Sequence, residues 1–200
     1  MSSTGNLKEE IAEWIVRIGK ERVLLWSIDV KIKKEDPFIN MLKKGFQASG
    51  LGEDYALYNV EYLKFRARNA KKHLYDYLIE QKNKGCLDKL LEKDLNLGPN
   101  SVSAVKGLLD LETKYNLRKY PKNIDMNALY NDLIKIKGIG EYLGHYIIYD
   151  LVRLFGFKAP KNLGPSKIVL KKLAVFDLKK NIFDPEDWPY VDAAVWDLKL

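Results

Sequence analysis

The sequence predicts an all-α fold. Three observations point there: apolar residues recur at helical spacing along nearly the whole chain, Asp-Pro and Gly-Pro pairs stand where helices should begin, and one segment alone has the alternation of a strand. At 200 residues with 46% apolar side chains, the chain is long enough to bury a core as one domain, or as two lobes sharing one chain.

The elements follow in order. Residues 7–23 place Ile11, Trp14, Ile15 and Ile18 at a 3.6-residue period with Glu and Lys between them. Residues 23–32 alternate in part and form the strand candidate, although one strand makes no sheet. Asp36 before Pro37 reads as an N-cap with proline at the first helical position, opening a helix to Phe46. Residues 53–80 are helical, rich in Tyr and basic side chains, with a break near Asn69 and a stop at Lys84 and Gly85. Leu97, Gly98, Pro99 and Asn100 form a turn before a helix over 101–115. A run over 125–136 leads into a glycine-rich turn, and Gly164, Pro165 and Ser166 break the chain ahead of a helix over 167–173. Asp184-Pro185 opens a last turn, and 190–200 is a final amphipathic segment. Eight to ten short helices are expected, packed ridge into groove.

Composition narrows the class. Cys86 is the one cysteine, so no disulfide forms within the chain and a reducing, intracellular setting is expected, cytoplasmic or nucleoid-associated. One Cys with His73 and His145 cannot supply four good zinc ligands, and no metal site is expected. No run of about 18 apolar residues indicates a membrane span. The net charge is +7, and it is focused: residues 61–84 hold seven Lys/Arg against three Asp/Glu, and residues 131–172 hold eight against three. Focused positive charge suits a surface that neutralises phosphates, or simply two solvated helix faces.

The motif that carries the functional argument lies at 135–146. Leu133, Ile134 and Ile136 close one helix. Gly138, Ile139 and Gly140 make a tight turn, and Leu143, Ile147 and Leu151 continue a second helix, with Gly144 allowing close approach. Glycines expose backbone N–H groups at the start of a helix, where the dipole favours an anion, and Lys135 and Lys137 add charge beside them. Lys135, Lys137, Gly138, Ile139 and Gly140 are therefore the candidate DNA-backbone contacts, joined by Arg66, Arg68, Lys71 and Lys72. An ordinary αα-turn is the alternative. Such a hairpin grips the backbone and reads no sequence.

This hairpin resembles that of the helix-hairpin-helix DNA glycosylase superfamily, most of all the archaeal 8-oxoguanine glycosylases. Two shorter blocks add to the resemblance. Ala56 and Asn59 followed by Lys64, Arg66, Lys71 and His73 are similar to an Ala-x-x-Asn stretch with later Tyr-Arg and His. Pro189, Asp192 and Trp196 are similar to the closing helix that lines the base pocket. The resemblance covers about 36 to 200, with the hairpin at about 126–156. It implies a single two-lobed helical domain, a monomer, that binds double-stranded DNA and flips a nucleotide into a pocket during base excision repair or damaged-base recognition. No cofactor is implied; a monovalent cation at the hairpin is the one ion it would take.

The chain departs from that family at its centre. Where the family has a catalytic Lys, two residues after the second glycine, this chain has Tyr142. Where the family has an Asp, it reads Gly164, Pro165, Ser166 and Lys167. Tyrosine forms no Schiff base. The order of the hairpin, Asp150-Leu151 and Gly164-Pro165-Ser166 also resembles, in part, the helical domain of phage enzymes that hypermodify thymine in DNA. The expectations are thus a DNA N-glycosylase or lyase with a non-standard centre, a DNA base hypermodification enzyme, or an inactive DNA-binding module. The candidate catalytic residues are Tyr142, Asp150 and Lys167. The candidate base-pocket residues are His145, Ser166, Asp192 and Trp196. For each a structural role stands as the alternative: packing for Tyr142 and Trp196, capping for Asp150, a surface amine for Lys167.

Overall fold

The computed structural model describes residues 3–32, 35–50, 52–121, 123–160 and 163–196. It is all-α: ten α-helical segments and no strand occur among the described residues. The chain falls into two compact units. Unit one takes the described residues of Met1–Glu35, Asp125–Asn127 and Ile148–Leu200, and unit two those of Asp36–Ile124 and Ala128–Ile147.

Unit one is built on α1 (Ser3–Ile32) and α10 (Trp188–Val195), which pack along each other. The segment 23–32, the strand candidate, is the last third of α1 instead. Val23 is buried while Leu24 and Leu25 are both exposed, a pattern that fits helical rotation and not period-two alternation. On the same helix Ala12, Ile15 and Val23 are buried, whereas Trp14 faces solvent. Gly19 explains how closely the two helices meet: a Cβ there would lie 1.9 Å from the carbonyl oxygen of Tyr190.

Unit two centres on α2 (Pro37–Phe46), of which every residue except Lys43 is buried. Asp36 caps it, its carboxylate accepting from the Ile39 N–H at 2.8 Å, with Pro37 in the first turn. Around it lie α3 (Glu53–Asn69), α4 (Leu74–Asn83), α5 (Leu87–Lys89) running into a π-helical turn over Leu90–Asp94, and α6 (Pro99–Tyr115). The helix expected over 53–80 breaks after Asn69 and ends at Gly85, whose φ of +67° only glycine adopts readily. Phe38, Met41, Leu42, Phe46, Leu108 and Leu109 form the dry centre.

Two helices contribute to both units. They are α7 (Met126–Leu133) and α8 (Glu141–Phe155). Then come α9 (Lys167–Ala174) and two 3-10 turns before α10, all in unit one. Helix α10 starts two residues before the amphipathic segment expected over 190–200 and overlaps it over 190–195, and 197–200 lie outside the described residues. No helix among the described residues is long and apolar enough to cross a membrane.

Candidate nucleic-acid interface

The turn between α7 and α8 is anchored from below. Ile139 is 1% exposed, and its N–H donates to the Ile136 carbonyl at 2.9 Å. Ile136 lies against Gly107 of α6, where an added Cβ would come within 2.5 Å of the isoleucine side chain. Gly138 has φ +96°, and a Cβ on it would lie 2.5 Å from the carbonyl oxygen of Asn100. Both its conformation and its neighbour therefore demand glycine. Farther along, Gly144 lets Ile134 and Tyr130 pack onto α8, with Ile134 Cγ2 2.8 Å from where a Cβ would stand. The close approach expected at Gly144 is realised.

The opposite side of the turn faces solvent. Gly140 has nothing within 4 Å of a notional Cβ. The Gly144 N–H donates to its carbonyl at 2.9 Å, so Gly140 is the helix cap and Glu141, Tyr142 and Leu143 carry the first-turn amides outside the i→i−4 ladder. Lys135 and Lys137 are exposed beside it. Asp132 touches Lys135 at only 3.5 Å, being held already by Lys114 Nζ at 2.6 Å and Tyr115 Oη at 2.8 Å. Those two donors, Lys114 first, lower the Asp132 pKa to about 2. The Glu141 carboxylate also belongs to the first turn, where it offsets part of the helix dipole.

Tyr142 is 42% exposed on that same first turn. His145 is half-buried one turn on. Its Nδ1 lies 2.7 Å from the Glu141 carbonyl and 3.1 Å from Tyr130 Oη, and its ring packs edge-on against Tyr130 at 4.9 Å. These contacts fix the ring as part of the helix pair. Sequence reasoning missed Lys44, a buried cation whose ammonium stands 4.1 Å from the centre of the Tyr146 ring.

The other candidates belong to unit one, where they have structural partners. Asp150 is buried and takes both Nε (2.8 Å) and Nη2 (2.6 Å) of Arg153 on one oxygen. The remaining arm of Arg153 reaches Asp192 Oδ2 at 3.0 Å and the Pro189 carbonyl at 3.2 Å, and Trp26 lies 4.9 Å from its guanidinium. Asp150 and Asp192 are thus two sides of one buried ion cluster that ties α8 to α10. Ser166 is the N-cap of α9, its hydroxyl accepting from the Val169 N–H at 3.3 Å. Lys167 follows it, exposed, at the first helical position. The Trp196 carbonyl accepts from Lys172.

The first basic block is matched in part by carboxylates, Glu61 and Glu80 each serving two cations. Arg66 lies 3.7 Å from Asp94 and donates to Tyr62 Oη at 2.8 Å, a contact that raises its pKa. Arg68 sits 3.8 Å from Glu61, Lys72 2.8 Å from Glu80, and Lys82 against Asp110. Lys71 is exposed with φ +54°. No cluster of three or more His, Cys, Asp or Glu placed to hold a metal occurs among the described residues. Comparison of the chain with family models, with curated proteins and with solved structures finds no match in any of the three.

Proposed function

We propose that this protein binds the phosphate backbone of double-stranded DNA through the turn at 135–140, as a helix-hairpin-helix protein related to the DNA glycosylases. One observation supports this reading most. The turn is closed on one side, where Gly138 abuts Asn100, and open on the other, where Gly140, Lys135 and Lys137 meet solvent at a helix start. A merely structural reversal has no use for the second, unencumbered glycine after two exposed lysines.

The same geometry favours a binding module over an excision enzyme. Asp150 and Asp192 are committed to Arg153, and Ser166 to its helix. Binding is measured by fluorescence anisotropy on a labelled duplex. Gly140→Val occupies open space and leaves the fold intact, so its expected loss of affinity, about tenfold, reports contact at the turn. Unchanged affinity in Gly140→Val and in Lys135→Ala with Lys137→Ala overturns the proposal. Borohydride trapping on damaged duplex should give no adduct. A trapped amine lost in Lys167→Ala restores the excision reading.

A further inference from the structure

Helix α1 carries two apolar faces: one is buried, and the other is exposed except at Ile11 and Ile18, which are half-buried. The covered face holds Ala12, Ile15 and Val23, and on it Gly19 meets Tyr190 of α10. The other is laid out in sevens. Ile11, Ile18, Leu25 and Ile32 recur every seventh residue, and so do Leu7, Trp14, Glu21 and Ile28, each four residues ahead of a member of the first set. These are the a and d positions of four heptads, along roughly 38 Å of helix at 1.5 Å per residue. Leu7, Trp14, Leu25, Ile28 and Ile32 are between 46% and 74% exposed. A solvated helix has no reason to keep an apolar seam in this register.

We propose that this face pairs with α1 of a second copy in an antiparallel two-stranded coil, making the protein a homodimer rather than the monomer that resemblance implied. The charges beside the seam choose the direction. A parallel pair sets Glu10 against Ile15 and Leu24 against Asp29 of the second copy, with no opposite charge facing either carboxylate across the seam. The antiparallel pair that overlaps all four heptads sets Ile11 on Ile28, Ile18 on Glu21 and Leu25 on Trp14, and places Glu10 opposite Lys31 of the second copy, twice by symmetry. Both flanking residues are exposed. Ile15 and Arg22, on the other flank, are already engaged with unit one, Arg22 donating to the Ala193 carbonyl at 3.1 Å. Glu21 is the polar member of the seam, next to the two-fold axis, where it costs stability but fixes register.

The test is the mass of the full chain in solution by sedimentation equilibrium, with circular dichroism to confirm helix content. The wild-type chain should be a dimer at micromolar concentration. Leu25→Glu with Ile32→Glu changes only exposed side chains. It should keep the fold and raise the dimer dissociation constant by about 100-fold or more, because charge is forced into a dry seam. Glu10→Lys alone should weaken the dimer, and adding Lys31→Glu should restore it. Glu21→Leu should tighten it. A monomer at every concentration, a dimer indifferent to Leu25→Glu with Ile32→Glu, or a double reversal no better than the single one overturns the proposal.

Discussion

At the scale of single residues, Glu112 is the group whose protonation the fold controls most directly. Its carboxylate is buried at the end of α6, where it accepts from the Leu117 N–H at 3.0 Å and the Arg118 N–H at 3.2 Å. Burial outweighs those donors and pushes its pKa up to about 6 from an ordinary 4.5. The folded carboxyl therefore holds its proton more tightly than the unfolded one. Its contribution to stability is fullest below about pH 4.5, falls as pH rises to about 6, and is level above that. The difference corresponds to about 2 kcal/mol. Asp132 acts in the opposite sense but lower, between its ordinary 3.8 and about 2, so it leaves this window clear. Urea unfolding between pH 4.5 and 7.5 should show the decline, and Glu112→Gln should flatten it. An unchanged pH slope in the variant refutes the assignment. Residues of this kind are illegible in sequence. Nothing near Glu112 announces burial, whereas Asp36 before Pro37 and Ser166 after Gly164-Pro165 stand at helix starts that the adjacent proline marks.

At the scale of elements, local signals succeeded and distant ones did not. The break after Asn69, the stop at Gly85 and the Gly98-Pro99 start depend on residues within one turn, and the chain reveals them. Whether 23–32 is strand or helix depends on which side meets α10, a contact with residues some 170 positions away. The Arg153 cluster is the same kind of blind spot: Asp150 is three residues off, but Asp192 is 39 away, so the ion pairs that join them are not legible along the chain. Asp192→Asn should therefore cost about 3 kcal/mol in unfolding free energy, because a buried guanidinium loses half its compensation. Duplex affinity of the folded variant should not move. Thermal unfolding and anisotropy on the same sample separate these outcomes, and a stable variant that loses DNA binding would return Asp192 to the pocket.

At the scale of the whole molecule, net charge of +7 says less than its pairing. Counted along the chain, residues 61–84 look like a phosphate-binding surface. In space, Arg66 lies 3.7 Å from Asp94 and Lys82 meets Asp110, both outside that block, while Asp76 within it pairs with Arg118, so its excess is only partly offset. Exposed pairs of this kind add little stability, yet they lower the local potential that draws a polyanion. Lys135 meets Asp132 at 3.5 Å, but that carboxylate is already shared with Lys114 and Tyr115, and Lys137 is exposed. If the turn is the contact, binding should release about two counterions, and log K should fall with log salt at a slope near −2. Engagement of all seven cations in 61–84 would bring it near −6. Lys137→Ala should flatten the slope by about 1, while Arg66→Ala with Arg68→Ala leaves it unchanged. Titrations between about 50 and 200 mM salt distinguish the cases. A slope that responds to Arg66 and Arg68 but not to Lys137 moves the DNA from the turn to α3, and the hairpin becomes an ordinary helix reversal.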